Sequence, residues 1–340
     1  MTKKKFIWMA VFLIITGLSL WAVTSNKNFS LSELYDDIAN AKKGWFLLGI
    51  LCMLGNIIFE GISISCVIKA LSPEKYRGHG ILYSASEIYF SAITPSASGG
   101  QPASMYFMIR DGISGSVAMI ALLLNLIMYT LSLMISGIVC IAFRFSLLTQ
   151  YSSFAKLLIS VGYIVLTGLL VGIFLLLFHE SLFSKIANAV FSFLIKIKLI
   201  KNVEKRKGKL DYLIQEYKEC SVAIVGQKKM LIKVFLFNIM QRFSQISVTM
   251  LMFLAVGGSY SKAFDVWSVQ GLTLVGSNCI PIPGAVGAAD YLLIEGFSHI
   301  AEIESTANLE LLCRGISFYS CMLLSGIIVL IGYFWKREKK

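Results

Sequence analysis

Glu60, Glu87, Arg242, Asp290 and Arg314 are ionisable residues set inside long apolar runs. A charge at bilayer depth is expensive, so such residues face a protein interior or a wet cavity and are candidates for function. Asn56 and Ser63 stand four residues before and three after Glu60, on one helical face. Asn238, Gln241, Gln245 and Thr249 surround Arg242 in the same way, and Asn125, Tyr129, Ser132 and Ser136 make a milder stripe. The alternative for that milder stripe is plain helix–helix hydrogen bonding, about 0.6 kcal/mol each. Glu310 and Arg314 form an i,i+4 pair followed by Ser317. The chemistry on offer is recognition: guanidinium for phosphate, carboxylate for an amine, a hydroxyl or a proton. Pairing of Glu60 with Arg242 is expected.

Two further constellations are backbone chemistry. Thr94-Pro95-Ser96-Ala97-Ser98-Gly99-Gly100-Gln101-Pro102 interrupts one apolar segment, and Pro281-Ile282-Pro283-Gly284-Ala285-Val286-Gly287 followed by Asp290 interrupts another. Broken backbone in hydrocarbon leaves N–H and C=O groups unsatisfied and is tolerated only against protein or a water-filled cavity. A pair of such breaks, one in each half of the chain, points to a transporter-type binding site. Half-helix N-termini and N–H nests at Gly99-Gly100 suit an anion such as a phosphate. Glu87 and Asp290 have three readings: acceptor for a hydroxyl or amine, proton site, or cap for the partner hairpin.

The elements that must position these groups follow from composition and charge. Of 340 residues, 56% are apolar and 15% charged, the balance of an integral membrane protein. About 20 apolar residues cross roughly 30 Å of hydrocarbon, and six spans are expected at 6–24, 45–68, 115–143, 156–178, 231–256 and 310–333. The first also fits a signal peptide after Lys3-Lys4-Lys5, but the membrane character of everything after it favours a retained helix. The net charge of +12 is concentrated: twelve Lys/Arg lie in 180–233, and Lys336, Arg337, Lys339 and Lys340 close the sequence. By the positive-inside rule these regions are cytoplasmic. An anionic membrane surface accounts for the basic balance without a nucleic-acid partner.

Counting crossings then constrains the two broken segments. If 81–109 crossed once, the twelve-charge loop would be stranded outside; entry and exit by the cytoplasmic face puts it inside. The same test makes 265–302 a pair of half-helices entering from the other side. Half-helices of about 14 residues reach roughly 21 Å, too short to span upright. The expected fold is therefore all-α and polytopic, one domain over 1–340, with re-entrant hairpins at about 81–110 and 265–302 in an inverted-repeat arrangement. Two short tilted spans at each place satisfy the parity equally. Residues 30–43 open on the capping-box pattern Ser30-Leu31-Ser32-Glu33 and read as interfacial. Residues 182–200, within the basic loop 180–230, place Phe183, Ile186, Val190, Phe193 and Ile197 on one face of a basic amphipathic helix. The seven Cys show no CxxC pair and the three His lie far apart, so neither a metal nor another cofactor is expected. No phosphate-loop motif for ATP occurs.

The motif 94–102 with Glu87 upstream, and the motif 281–290, resemble the paired motifs of the lysylphosphatidylglycerol synthase transmembrane family, the flippase domain of the bacterial multiple peptide resistance factor and its stand-alone relatives. The resemblance covers essentially the whole chain. The family's second motif commonly reads Pro-x-Pro-Gly-Gly-x-Gly-x-x-Glu; here Ala285 replaces the second Gly and Asp290 stands at the Glu position. The resemblance implies movement of an anionic, aminoacylated or glycosylated lipid between leaflets of the bacterial cytoplasmic membrane; the charge pattern puts both termini on its cytoplasmic side. The full-length factors also carry a cytoplasmic aminoacyl-transfer domain; this sequence ends six or seven residues beyond its last expected span, so that domain is not expected here, and enzyme activity is the lesser expectation.

A flippase or scramblase is thus the leading expectation, with a phospholipid or glycolipid as partner. The candidate cavity set is Glu60, Glu87, Thr94, Pro95, Ser96, Ser98, Gly99, Gly100, Gln101, Gln241, Arg242, Gln245, Pro281, Pro283, Gly284, Gly287, Asp290 and Arg314, with Arg242 and Arg314 holding phosphate. A membrane-embedded lipid transferase of the phosphatidylglycerol lysyltransferase type, and a scaffold for a lipid glycosyltransferase, are the other classes. Association with a lipid-modifying enzyme or with a second copy of the chain is compatible with all three.

Overall fold

The computed structural model describes residues 39–94, 97–196, 203–278, 280–300 and 306–335, and among them there are only helices and their connections. Four stretches are long and apolar enough to cross a membrane: Lys43–Leu71, Gly115–Phe143, Ser153–Leu177 and Asn308–Phe334. The chain is a multi-pass membrane protein. Lys228–Ala255 equals these in length, but its Asn238–Gln241–Arg242–Gln245 face makes it less apolar than the four. The expected span 6–24 and the capping box at Ser30 lie outside the described residues.

In chain order the helices are α1 (Lys43–Leu71), α2 (Gly80–Ile93), α3 (Gly100–Arg110), α4 (Gly115–Phe143), α5 (Phe145–Gln150), α6 (Ser153–Phe178), α7 (Glu180–Lys196), α8 (Val203–Val225), α9 (Lys228–Ala255), α10 (Ala263–Ser277), α11 (Ala288–Ser298), α12 (Thr306–Arg314) and α13 (Cys321–Trp335). Local sequence sets several boundaries. Ser114 and Ser152 cap α4 and α6, their hydroxyls accepting from the Val117 and Ala155 N–H groups. The last span was expected as one helix over 310–333. It is interrupted by a π-helical segment, Gly315–Ser320, between α12 and α13. Ser320 Oγ donates to the Gly315 carbonyl five residues back, at 2.7 Å, a bond that suits the wider turn.

The frame is the antiparallel pair α1/α9. The Lys42 N–H donates to the Ala255 carbonyl at 2.8 Å at one end, and Gln227 Nε2 donates to the Ala70 carbonyl at 3.2 Å at the other. Hairpin 1, α2–α3, starts just beyond the Ala70 end. Hairpin 2, α10–α11, starts just beyond the Ala255 end. The two hairpins therefore approach from opposite ends of the frame. Their arms are 14 and 11 residues, and 15 and 11 residues, so the longest is about 22 Å. The tip of hairpin 2, Pro283–Ala285, packs on α2 of hairpin 1.

Close approach of hairpin 1 to the frame depends on two glycines. A Cβ on Gly80 would lie 2.3 Å from the Gly61 carbonyl oxygen, and one on Gly61 would lie 2.9 Å from the Gly80 backbone. Helices that lack a hydrophobic drive to associate in lipid rely on such small-residue crossings. The open base of hairpin 1 is closed by Asp111, whose Oδ2 is bonded by His79 Nδ1 at 2.7 Å and by the Tyr83 hydroxyl at 2.6 Å. Hairpin 2 is tied at its base by Arg144 to Asp265. The basic helix α8 crosses the Ala70 end of the molecule: Ser116 Oγ donates to the Leu213 carbonyl, and the Tyr217 hydroxyl to the Leu176 carbonyl. Phe183 of α7 stacks on Tyr217 at 3.7 Å, while Ile186, Val190 and Phe193 stay exposed. Leu47, Ile138, Ile164, Leu236 and Ile327 point outward from the long helices, as a lipid-facing surface requires.

Candidate functional site

Beneath the two tips lies a cavity of about 720 Å³. Ala97, Ser98, Gln101 and Pro102 border it from hairpin 1, and Ile280, Ile282, Gly284 and Ala285 from hairpin 2. The frame contributes Asn56 and Glu60 from α1 and Gln241, Arg242 and Gln245 from α9. Asn125, Tyr129 and Thr130 on α4, Ser277 and Asn278 at the end of α10 and Ser317 in the π segment add to the polar wall, and Val165, Leu166 and Leu169 of α6 form an apolar one.

Both tips carry a backbone conformation that L-residues rarely adopt. Ala97 (φ 53°) and Ala285 (φ 49°) are the positive-φ non-glycine residues among the described residues. One sits at each tip and both border the cavity. At the first tip the Gly99 N–H donates to Thr94 Oγ1 (2.9 Å), and that hydroxyl donates to the Phe90 carbonyl (2.6 Å). A Cβ on Gly100 would meet Ser91 Oγ at 2.0 Å and the Glu87 carbonyl at 2.6 Å. Gly100 thus lets the two arms of hairpin 1 touch.

Arg242 is 2% exposed. Its guanidinium carbon lies 3.9 Å from the centre of the Tyr129 ring, Nη1 donates to Gln245 Oε1, and Nε has no partner. The expected Glu60–Arg242 ion pair is not made. Glu60 Oε2 instead accepts from Ser84 Oγ at 3.0 Å and from Gln241 Nε2 at 3.2 Å, and the cation is held over an aromatic face. Glu87, one turn beyond Ser84 on α2, also borders the cavity, and its Oε2 is buried without a hydrogen bond.

Arg314 does something other than face the cavity. Nη1 pairs with Asp290 Oδ1 at 2.8 Å, Nη2 donates to the Gly284 carbonyl at 3.1 Å, and Nε lies 3.7 Å from Glu310. Asp290 Oδ2 in turn accepts from the Gly287 N–H at 2.8 Å, capping α11. Asp290 and Arg314 therefore hold the tip of hairpin 2 in shape; Asp290 caps its own helix where a cap for the partner hairpin was one of the three readings.

Of the sequence-derived set, Glu60, Glu87, Ser98, Gln101, Gln241, Arg242, Gln245 and Gly284 border the cavity. Thr94, Gly99, Gly100, Pro281, Pro283, Gly287, Asp290 and Arg314 shape or anchor the tips, and Pro95 and Ser96 lie outside the described residues. Deeper in, Ser63 Oγ and Asn238 Nδ2 both donate to Asn125 Oδ1, at 2.7 and 3.1 Å, a buried knot joining α1, α4 and α9. Ser132 and Ser136 bond the carbonyls four residues back, so they act locally. Sequence reasoning missed Asn278, which borders the cavity and donates from Nδ2 to the Tyr129 hydroxyl at 3.4 Å, and the Asp111 latch. Asn278 neighbours a motif and was within reach; His79 and Asp111 are 32 residues apart, with no local spacing to betray them.

The fold and this interior define a class: a polytopic helical membrane protein in which two broken-helix hairpins enclose a polar cavity. Residues 7–325 match the model of the lysylphosphatidylglycerol synthase TM region, and the chain belongs to that family, membrane domains linked to the biosynthesis and translocation of aminoacylated lipids. No curated protein and no solved structure matches the chain.

Proposed function

We propose that the chain moves a lipid between the leaflets of the bacterial cytoplasmic membrane, its headgroup passing through the cavity while the acyl tails remain in hydrocarbon. The observation that carries this reading is the placement of both hairpin tips on one polar cavity, with Arg242, Glu60 and Glu87 at its wall, inside an otherwise apolar bundle. In this reading the hairpins are re-entrant, one from each leaflet, and related as an inverted repeat. The basic end carrying Lys69, Lys75, Arg77 and α8 faces the cytoplasm, and both termini lie there.

Arg242 is the residue for the phosphate. Its charge sits at the cavity wall, and Nε is left over after Gln245 and Tyr129 are served. The carboxylates and side-chain amides around it suit an anionic, aminoacylated or glycosylated headgroup. Val165, Leu166 and Leu169 give the tails an apolar flank. Arg314 is assigned to the hairpin and not to the ligand.

The test is reconstitution into liposomes with headgroup-labelled lipids. Wild type exchanges label between leaflets, whereas Gly100→Leu, which jams hairpin 1, and Arg242→Ala both lose exchange. Exchange at the wild-type rate in both variants refutes the cavity route.

A further inference from the structure

Apart from Arg242 Nε, the polar atoms left unsatisfied at the cavity wall around Glu60 are acceptors. Gln241, 1% exposed, uses Nε2 on Glu60 and leaves Oε1 without a partner. Asn56, 7% exposed and one turn before Glu60, uses Nδ2 on the Cys321 sulfur and leaves Oδ1 without a partner. Glu87 Oε2 is buried and unbonded. Glu60 receives Ser84 and Gln241 on the same oxygen, Oε2. All four residues border the same cavity. Among the described residues neither Glu60 nor Glu87 has a cationic side chain within 4 Å.

Unpartnered buried acceptors with two carboxylates call for a cation beyond Arg242, whose guanidinium is turned onto Tyr129 and Gln245. A single proton satisfies one oxygen or one pair, leaving the amide oxygens as they were. A transition metal lacks its ligands, since no group of three His, Cys, Asp or Glu exists among the described residues. Hard oxygen donors of mixed carboxylate and amide type suit a hard, weakly polarising ion. Two carboxylates beside the single guanidinium of Arg242 at this depth also favour an ion that supplies the missing positive charge.

We propose that Asn56, Glu60, Glu87 and Gln241 form a sodium-ion site on the α1/α9 side of the cavity. Glu60 and Glu87 supply the charge; the Asn56 and Gln241 amide oxygens supply neutral ligands that select an ion over a proton. Because Ser84 and Glu87 belong to α2, occupancy ties hairpin 1 to the frame. The site depends on the cavity walls alone and does not presuppose which lipid, if any, is moved.

The experiment is thermal unfolding of the purified full chain in detergent at fixed ionic strength, in sodium, potassium or choline chloride. Wild type is expected to gain about 2 °C in sodium at ten times the dissociation constant, relative to choline. Gln241→Leu and Glu87→Gln abolish the gain, while Thr167→Val, on the outer face of α6, keeps it. Glu60→Gln does the same as Gln241→Leu where it folds; the other two variants decide the matter where it does not. Equilibrium binding of radioactive sodium, lost in the same variants, is the second readout. No sodium-specific gain in wild type overturns the site, and a gain that survives both Gln241→Leu and Glu87→Gln places it elsewhere. Neither result depends on leaflet exchange, so the lipid reading stands or falls separately.

Discussion

The guanidinium of Arg314 reaches the Gly284 carbonyl at 3.1 Å while pairing with Asp290 at 2.8 Å. One side chain on the last span thus fixes both sides of the turn that forms the tip of hairpin 2. Gly284 itself has φ 62° and sits against the Phe318 ring, so the turn has little room to relax by other means.

Removing that clamp has a large expected cost. Arg314→Ala leaves Asp290 and Glu310 without their cation, and breaking a buried pair from one side costs about 3–5 kcal/mol. Arg314→Lys restores the charge but cannot serve a carboxylate and a carbonyl together as the planar fork does. Thermal unfolding of the two variants is expected to rank wild type above Lys above Ala; equal midpoints for all three contradict the clamp.

Ala97 and Ala285 hold positive φ at the two tips. A left-handed L-residue costs about 1–2 kcal/mol, part of which glycine gives back through chain entropy. Ala285→Gly and Ala97→Gly are each expected to raise stability by up to about 1 kcal/mol, and Ala285→Val to lower it. A midpoint lowered by Ala285→Gly counts against the backbone geometry described for this tip.

Tyr129 holds Arg242 by its ring face at 3.9 Å. Tyr129→Phe keeps that face and is expected to retain leaflet exchange. Tyr129→Leu removes an attraction of about 1–2 kcal/mol for a desolvated cation, and exchange is expected to slow by roughly tenfold. Equal rates in the two variants would show that the ring does not position the guanidinium.

Opposed hairpins give a topology that chemical labelling reads directly. Lys75→Cys, just before hairpin 1, is expected to react with an impermeant thiol reagent only from the cytoplasmic side. Ser261→Cys, just before hairpin 2, is expected to react only from outside. Labelling of both from one side is incompatible with the arrangement.

Much of this was legible in the sequence because lipid imposes simple rules. Apolar length located the long helices to within three residues at 115–143 and 153–178, and Pro/Gly clusters located both tips. Charge parity predicts starts on opposite membrane sides for the two broken segments; in the fold they begin at opposite ends of the α1/α9 frame. What was hidden is tertiary. Glu60 and Arg242 look like partners by sign, yet Ser84, Gln241 and Tyr129 lie nearer in the folded chain and take them separately. Arg314 reads as an i,i+4 partner of Glu310, but its stronger contacts are with Asp290, 24 positions away, and Gly284. The Gly61–Gly80 crossing could not be picked out among 27 glycines, since nothing local distinguishes a glycine that touches another helix. The π segment at Gly315–Ser320 contains no proline, and its Gly and Ser residues do not by themselves announce a wider turn.

The stapling of Lys42 to Ala255 and of Gln227 to Ala70 limits how this molecule can change shape. A slip of α1 along α9 by one turn, about 5.4 Å, would tear both fastenings at once, so the long pair behaves as a rigid keel. Any change of shape on the proposed lipid route therefore falls to the short arms, which are moored near their bases by Asp111 and Asp265.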